Sequence, residues 1–137
     1  MSDEVEKRST YIGQVDLTQN GKPTSHLRFV ISDFIYDEVV DEECALVVNM
    51  TSKHNSALDD LTCELNSDDH PEIDHASYIE YSRAERVSKK YILENIANKK
   101  FFLKEQISEE LLRRIQAGVS ERLEDMPQFV EDYLDAF

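Results

Sequence analysis

Residues 44–50, CALVVNM, are an apolar run of strand length with no charged side chain. Such a run offers no face to water, so it predicts a central strand buried on both sides. The chain must then supply cover for two faces of one sheet. Its flanks suit that task. Residues 26–36, HLRFVISDFIY, alternate in part and are rich in β-branched and aromatic residues, which predicts a neighbouring strand. Tyr11, Ile12, Val15 and Leu17 predict a first short strand, with Gly13 as a bulge. Residues 19–23 (QNGKP) predict a turn, 37–43 an acidic turn, 51–60 a polar loop and 61–65 a short strand. After a loop over 66–74, a strand is expected within 77–87 through Tyr78, Ile79 and Tyr81.

The period of the pattern then changes. Tyr91, Ile92, Asn95 and Ile96 recur at helical spacing after Ser88, a candidate cap. Ile107, Leu111, Leu112, Ile115 and Val119 form one stripe, with Glu109 and Glu110 in the first turn, an order that suits the helix dipole. Pro127 is expected to open a last helix whose apolar side is Phe129, Val130, Tyr133, Leu134 and Phe137. Strands over 9–87 followed by helices over 88–137 predict a single α+β domain with an antiparallel sheet. Five or so short strands are enough to curl into a small barrel. The charged start, MSDEVEKR, predicts disorder over 1–8 and has no apolar signal core. Two cysteines make no disulfide framework, and no apolar run approaches the roughly 20 residues a bilayer demands, so a reduced, cytoplasmic protein is expected.

The net charge of −14 is unevenly spread. Residues 1–82 carry 5 Lys and Arg against 18 Asp and Glu, residues 83–122 carry 10 against 6, and residues 123–137 carry none against 5. Such a field repels nucleic acid overall, and only the middle stretch could offer a basic face. Solubility alone is an equally simple use for the acidity. No G-x-G-x-x-G, Walker loop, H-E-x-x-H or C-x-x-C occurs, and three glycines do not build a phosphate-cradling loop.

Chemistry-bearing side chains gather elsewhere. His70 and His75 sit in DDHPEIDH, beside Asp69 and Asp74, and could act as acid and base. Alternatively Asp69 and His70 close a turn before Pro71. Cys63, His70 and His75, with Asp69 or Asp74, are ligand types that zinc accepts, but their spacing matches no standard site, and no metal or cofactor is expected. Thr51 and Ser52 end the buried strand, and a hydroxyl there either satisfies a turn or meets a phosphate. His26 and Arg28, two residues apart, would share one face of their strand. Arg28 either stabilises a phosphate or pairs with a surface acid.

The order of these segments carries a resemblance. A His-Leu-x-x-Val-Ile-Ser-Asp strand (26–33) precedes a buried strand ending in Thr-Ser (47–52). Next come T-C-x-L (62–65) and D-H-P-x-I-x-H-x-S-Y-x-x-Y (69–81). Together they resemble the uncharacterised branch of the PemK/MazF-like family, the toxin halves of bacterial type II toxin–antitoxin pairs. The resemblance implies a small SH3-like antiparallel β-barrel followed by C-terminal helices, commonly a homodimer with a cognate antitoxin as protein partner. It implies metal-independent cleavage of single-stranded RNA, without cofactor or membrane. Better-known members begin the second strand with Arg-Pro, where this chain reads Ser25-His26-Leu27-Arg28. The catalytic set expected on this basis is His26, Arg28, Thr51, Ser52, His70 and His75. His26 or His70 would serve as base, Arg28 with Thr51 or Ser52 as phosphate ligands, and His75 as acid toward the leaving oxygen. The competing reading is a non-catalytic acidic barrel that binds a protein partner.

Overall fold

A computed structural model describes residues 4–13, 16–17, 23–24 and 26–137. In chain order the strands are β1 (Thr10–Gly13), β2 (Asp16–Leu17), β3 (Pro23–Thr24), β4 (Leu27–Val30), β5 (Ile35–Asp37), β6 (Glu42–Ser52), β7 (Glu64–Leu65), β8 (Ser77–Ile79), β9 (Glu85–Ser88) and β10 (Phe101–Lys104). Two α-helices, α1 (Lys89–Ala97) and α2 (Glu109–Arg122), and a 3₁₀ run over Gln128–Ala136 complete the fold. The class is α+β. The antiparallel sheet has eight strands in the order β10-β1-β4-β6-β8-β7, with β5 and β9 also paired to β6, and it runs open from β10 to β7. No helix among the described residues is long and apolar enough to cross a membrane.

The spine is β6. The apolar run predicted its centre, but the strand extends to Glu42 and Ser52 because it has partners on both edges along its length. β5 pairs with Glu42–Cys44 and β4 with 47–49 on one edge, while β9 pairs with 44–47 and β8 with 50–52 on the other. Each edge is interrupted once. Between β4 and β5 the hydroxyl of Ser32 accepts the Leu46 N–H at 2.8 Å, replacing a backbone partner, so the expected strand over 26–36 is split. Between β8 and β9 a 3₁₀ turn at Tyr81–Arg83 breaks the expected strand through Tyr81.

Alternation along β6 feeds two cores. Cys44, Leu46, Val48 and Met50 face the larger one, closed by Leu111, Leu112, Ile115 and Val119 of α2 and by Val130 and Tyr133. Ala45 and Val47 face the smaller one, with Val30, Tyr11, Val87 and Ile92 of α1. Ser88, the candidate cap, accepts from the Tyr91 N–H, and Ser108 caps α2 by accepting from the Leu111 N–H, both at 3.1 Å. The last helix is a 3₁₀ run rather than an α-helix.

Three expectations change. Of the start expected to be disordered, residues 4–8 pack: Val5 is buried, and Arg8 holds the Val30 carbonyl through its N–H and the Ile107 carbonyl through Nε. Gly13 pairs in regular register with Phe101 and is not a bulge. The strand β10, absent from the sequence reading, pairs with β1 at the sheet edge. Val15 and most of the turn expected over 19–23 lie outside the described residues.

Candidate functional site

The C-terminal end of β6 gathers most of the expected site residues, and strand geometry sorts them by face. Directly opposed residues of an antiparallel pair share a face, and neighbours along a strand alternate. Arg28 opposes Asn49 and Tyr11, and Thr51 opposes Tyr78. Arg28, Asn49, Thr51 and Tyr78 therefore lie on the face of the smaller core, beyond the part that α1 covers. Continuing the β4 register by two residues sets His26 opposite Thr51. Ser52 opposes Ser77 and belongs with Met50 to the other face.

His26 is half-buried, and its Nδ1 lies 2.9 Å from the Met50 carbonyl oxygen. A carbonyl only accepts, so Nδ1 carries the hydrogen and donates. In the neutral ring Nε2 is then the basic nitrogen. That is the tautomer a general base needs.

The position of Arg28 is set by Gly13. A Cβ on Gly13 would stand 2.6 Å from Arg28 Nη1 and 3.3 Å from Phe101 Cε1, so the bare backbone of β1 makes room for the guanidinium against the Phe101 edge. Arg28 forms no ion pair within 4 Å with the side chains of the described residues 4–13 or 26–137. Acids lie close to it all the same: Asn49, opposite Arg28, donates through Nδ2 to Glu80 Oε1 at 3.2 Å, and Glu85 opposes Val47.

On the opposite side of the strand end, Ser52, His75 and Asp74 form a hydrogen-bonded chain. Ser52 Oγ is 2.7 Å from His75 Nε2, and His75 Nδ1 is 2.5 Å from Asp74 Oδ1. An ionised carboxylate only accepts, so Nδ1 carries the hydrogen and Nε2 accepts from the serine. The hydrogen bond from His75 pulls the Asp74 carboxyl below its usual range. His75 and Asp74 side chains are 56% and 88% exposed, so the chain is open to water.

His70 is elsewhere and fully occupied. It is 3% exposed. Its Nε2 donates to the Glu105 carbonyl at 2.6 Å, with Thr10 Oγ1 at 3.3 Å, and its Nδ1 accepts the Glu72 N–H at 3.0 Å. Asp69 accepts the Asn66 N–H at 2.9 Å and binds Arg114 Nη1 at 2.9 Å. The turn reading of Asp69 and His70 describes this geometry: with both ring nitrogens bonded, His70 ties the 66–74 loop to the end of β10. Cys63 is buried in the larger core, where burial raises its thiol pKa, and no group of three His, Cys, Asp or Glu among the described residues is arranged to hold a metal.

The structure thus joins His26, Arg28 and Thr51 on one face, puts Ser52 with His75 on the other, and leaves His70 apart. Sequence reasoning missed Gly13 as a contact position and Phe101 as a neighbour of Arg28. The signal for the second was present, since Phe101-Phe102-Leu103 between lysines has strand length and strand composition. Comparison with protein-family models, curated proteins and solved structures gives no match for this chain.

Proposed function

We propose that this chain is a PemK/MazF-like protein that cleaves single-stranded RNA without a metal, with the reacting phosphate on the His26–Arg28–Thr51 face. The observation that carries the reading is the pinned imidazole of His26, whose Nδ1 is spent on the Met50 carbonyl and whose Nε2 is left as the accepting nitrogen, on the face to which the β4–β6 register assigns Arg28 and Thr51. His26 Nε2 takes the proton of an RNA 2′-hydroxyl, and the 2′-oxygen attacks the adjacent phosphorus. Arg28 and the Thr51 hydroxyl stabilise the phosphoryl oxygens as charge builds on them. The 5′-oxygen departs, takes a proton from water, and leaves a 2′,3′-cyclic phosphate. Positioning and charge stabilisation suffice, so no cofactor enters.

The sheet, open between β10 and β7, is in this reading a variant of the SH3-like barrel. A homodimer, a cognate antitoxin and a cytoplasmic location belong to the same proposal. The test is incubation of purified protein with mixed-sequence RNA in the presence of a chelator. Cyclic-phosphate ends are expected, and replacing the base in His26→Ala should slow their formation by about 10²–10⁴-fold. Intact RNA, or equal cleavage by His26→Ala, refutes the assignment.

A second reading has its own observation. Glu80 and Glu85 lie near Arg28, and the whole chain carries −14. A non-catalytic module that binds a protein partner through this acidic surface accounts for them. It is the reading left if RNA neither binds nor is cut.

A further inference from the structure

Three aromatic rings climb from the core to the surface beside Arg28. Tyr11, directly opposite Arg28 in the sheet, is buried. Phe101, half-buried on β10, stacks on it with ring centres 5.0 Å apart and planes at 29°. Tyr91, in the first turn of α1, meets Phe101 edge-on at 5.7 Å and is 53% exposed. The guanidinium of Arg28 and the edge of Phe101 approach the same point above Gly13. An open ring therefore stands one ring away from the candidate phosphate site.

Along the sequence the segment 89–104 carries five lysines against one acid, Glu94, while Glu85 also lies near the Tyr11 ring. Lys90 adjoins Tyr91, and Lys99 and Lys100 adjoin Phe101, all three exposed. They belong to the basic middle of the sequence, residues 83–122. Folding brings that stretch to the edge of the Arg28 face through α1 and β10. Aromatic rings interleaved with cations are what sequence-tolerant binding of single strands uses, because every base has a π-face. The Tyr91 ring is already held by Phe101, so little side-chain freedom is lost when a base lands on it.

We infer that Tyr91 is a stacking ledge for a base of the single-stranded nucleic acid whose phosphate lies on Arg28, with Lys90, Lys99 and Lys100 drawing in the backbone. The inference rests on the function proposed above, which gives Arg28 its phosphate, and it names a binding residue that takes no part in the bond-breaking step.

The experiment separates the two. An end-labelled oligothymidylate of about ten nucleotides spans such a site and lacks the 2′-hydroxyl, so it binds without being cut. Fluorescence anisotropy at low salt should give saturable binding that weakens steeply with added salt. Tyr91→Ala should weaken it by about tenfold, and Tyr91→Phe, which keeps the ring, should bind nearly as the parent does. Equal melting temperatures would show that the exposed substitutions leave the fold intact. Equal affinity of Tyr91→Ala and the parent overturns the ledge, as does absence of saturable binding by the parent. Tyr91-dependent binding of the oligonucleotide with RNA left uncut would keep the ledge and remove the nuclease. RNA cut equally well by Tyr91→Ala at limiting substrate would do the opposite.

Discussion

Gly118 of α2 packs directly on Tyr81, and replacing it with alanine sets two effects of opposite sign against each other. Alanine is the better helix former by about 1 kcal/mol, so an unhindered mid-helix site would be stabilised. Here a Cβ would lie 2.0 Å from Tyr81 Oη, 2.4 Å from Cζ and 3.0 Å from Cε2. Restoring ordinary contact demands a separation of roughly 1.5 Å between ring and helix. That movement breaks the buried bond from the Tyr81 hydroxyl to the Ile115 carbonyl, 2.8 Å long. Overpacking costs about 1–3 kcal/mol and a buried hydroxyl left without a partner about 1–3 kcal/mol. Against the propensity gain, Gly118→Ala should destabilise by about 1–5 kcal/mol. With a urea slope of about 1.5 kcal/mol per molar, the unfolding midpoint drops by about 1–3 M. Tyr81→Phe removes the nearest atom, so the double variant should lose less than the sum of the two singles. A Gly118→Ala protein more stable than the parent would refute the packing argument and leave propensity in charge.

Two further outcomes follow from the structure. Gly13→Ala should displace the Arg28 guanidinium, the flexible partner in that contact, and weaken oligonucleotide binding several-fold while the melting temperature moves little; unchanged binding would show that Arg28 does not hold the phosphate. Asp37 is buried, which alone would raise its pKa, but donors from Tyr133 Oη at 2.7 Å, Val40 N–H at 3.1 Å and Val39 N–H at 2.9 Å, with Arg86 at 3.6 Å, outweigh burial and hold the carboxyl below its usual range. A depressed folded-state pKa gives stability that is present above the unfolded value and is lost as pH falls through the folded one. Stability should therefore fall below about pH 4. Tyr133→Phe should cost about 1–3 kcal/mol at neutral pH and flatten that decline, as urea titrations at stepped pH would record.

What the sequence revealed depended on how local the cause was. The run at 44–50 announced a buried strand because every side chain in it prefers to leave water. Ser88 announced its helix because a cap bonds within three residues. The split between β4 and β5 was hidden, since it depends on the Ser32 hydroxyl meeting the Leu46 N–H across the sheet. His70 shows the same limit in the site: its acceptor is the Glu105 carbonyl, 35 residues away, so DDHP reads alike whether the ring is free or tied. The two-residue period did put His26 and Arg28 together. The same period separates Thr51 from Ser52, because adjacent strand residues point to opposite faces. The residues between α1 and α2 carried a legible strand signal in Phe101–Leu103, but its bearing on Arg28 depends on a glycine far away in sequence.

The manner in which β6 is paired also constrains how the chain is made. Its two edges are filled by segments that precede it, β4 and β5, and by segments that follow it, β8 and β9. A growing chain that has just completed β6 can form one edge only. Its Leu46 and Val48 side chains stay bare until α2 and the Val130–Tyr133 segment have been synthesised. The smaller core can close once the chain has emerged as far as Phe101, but the larger one waits for nearly the whole protein, and a product truncated after β6 ends as an exposed apolar strand that invites aggregation or a chaperone.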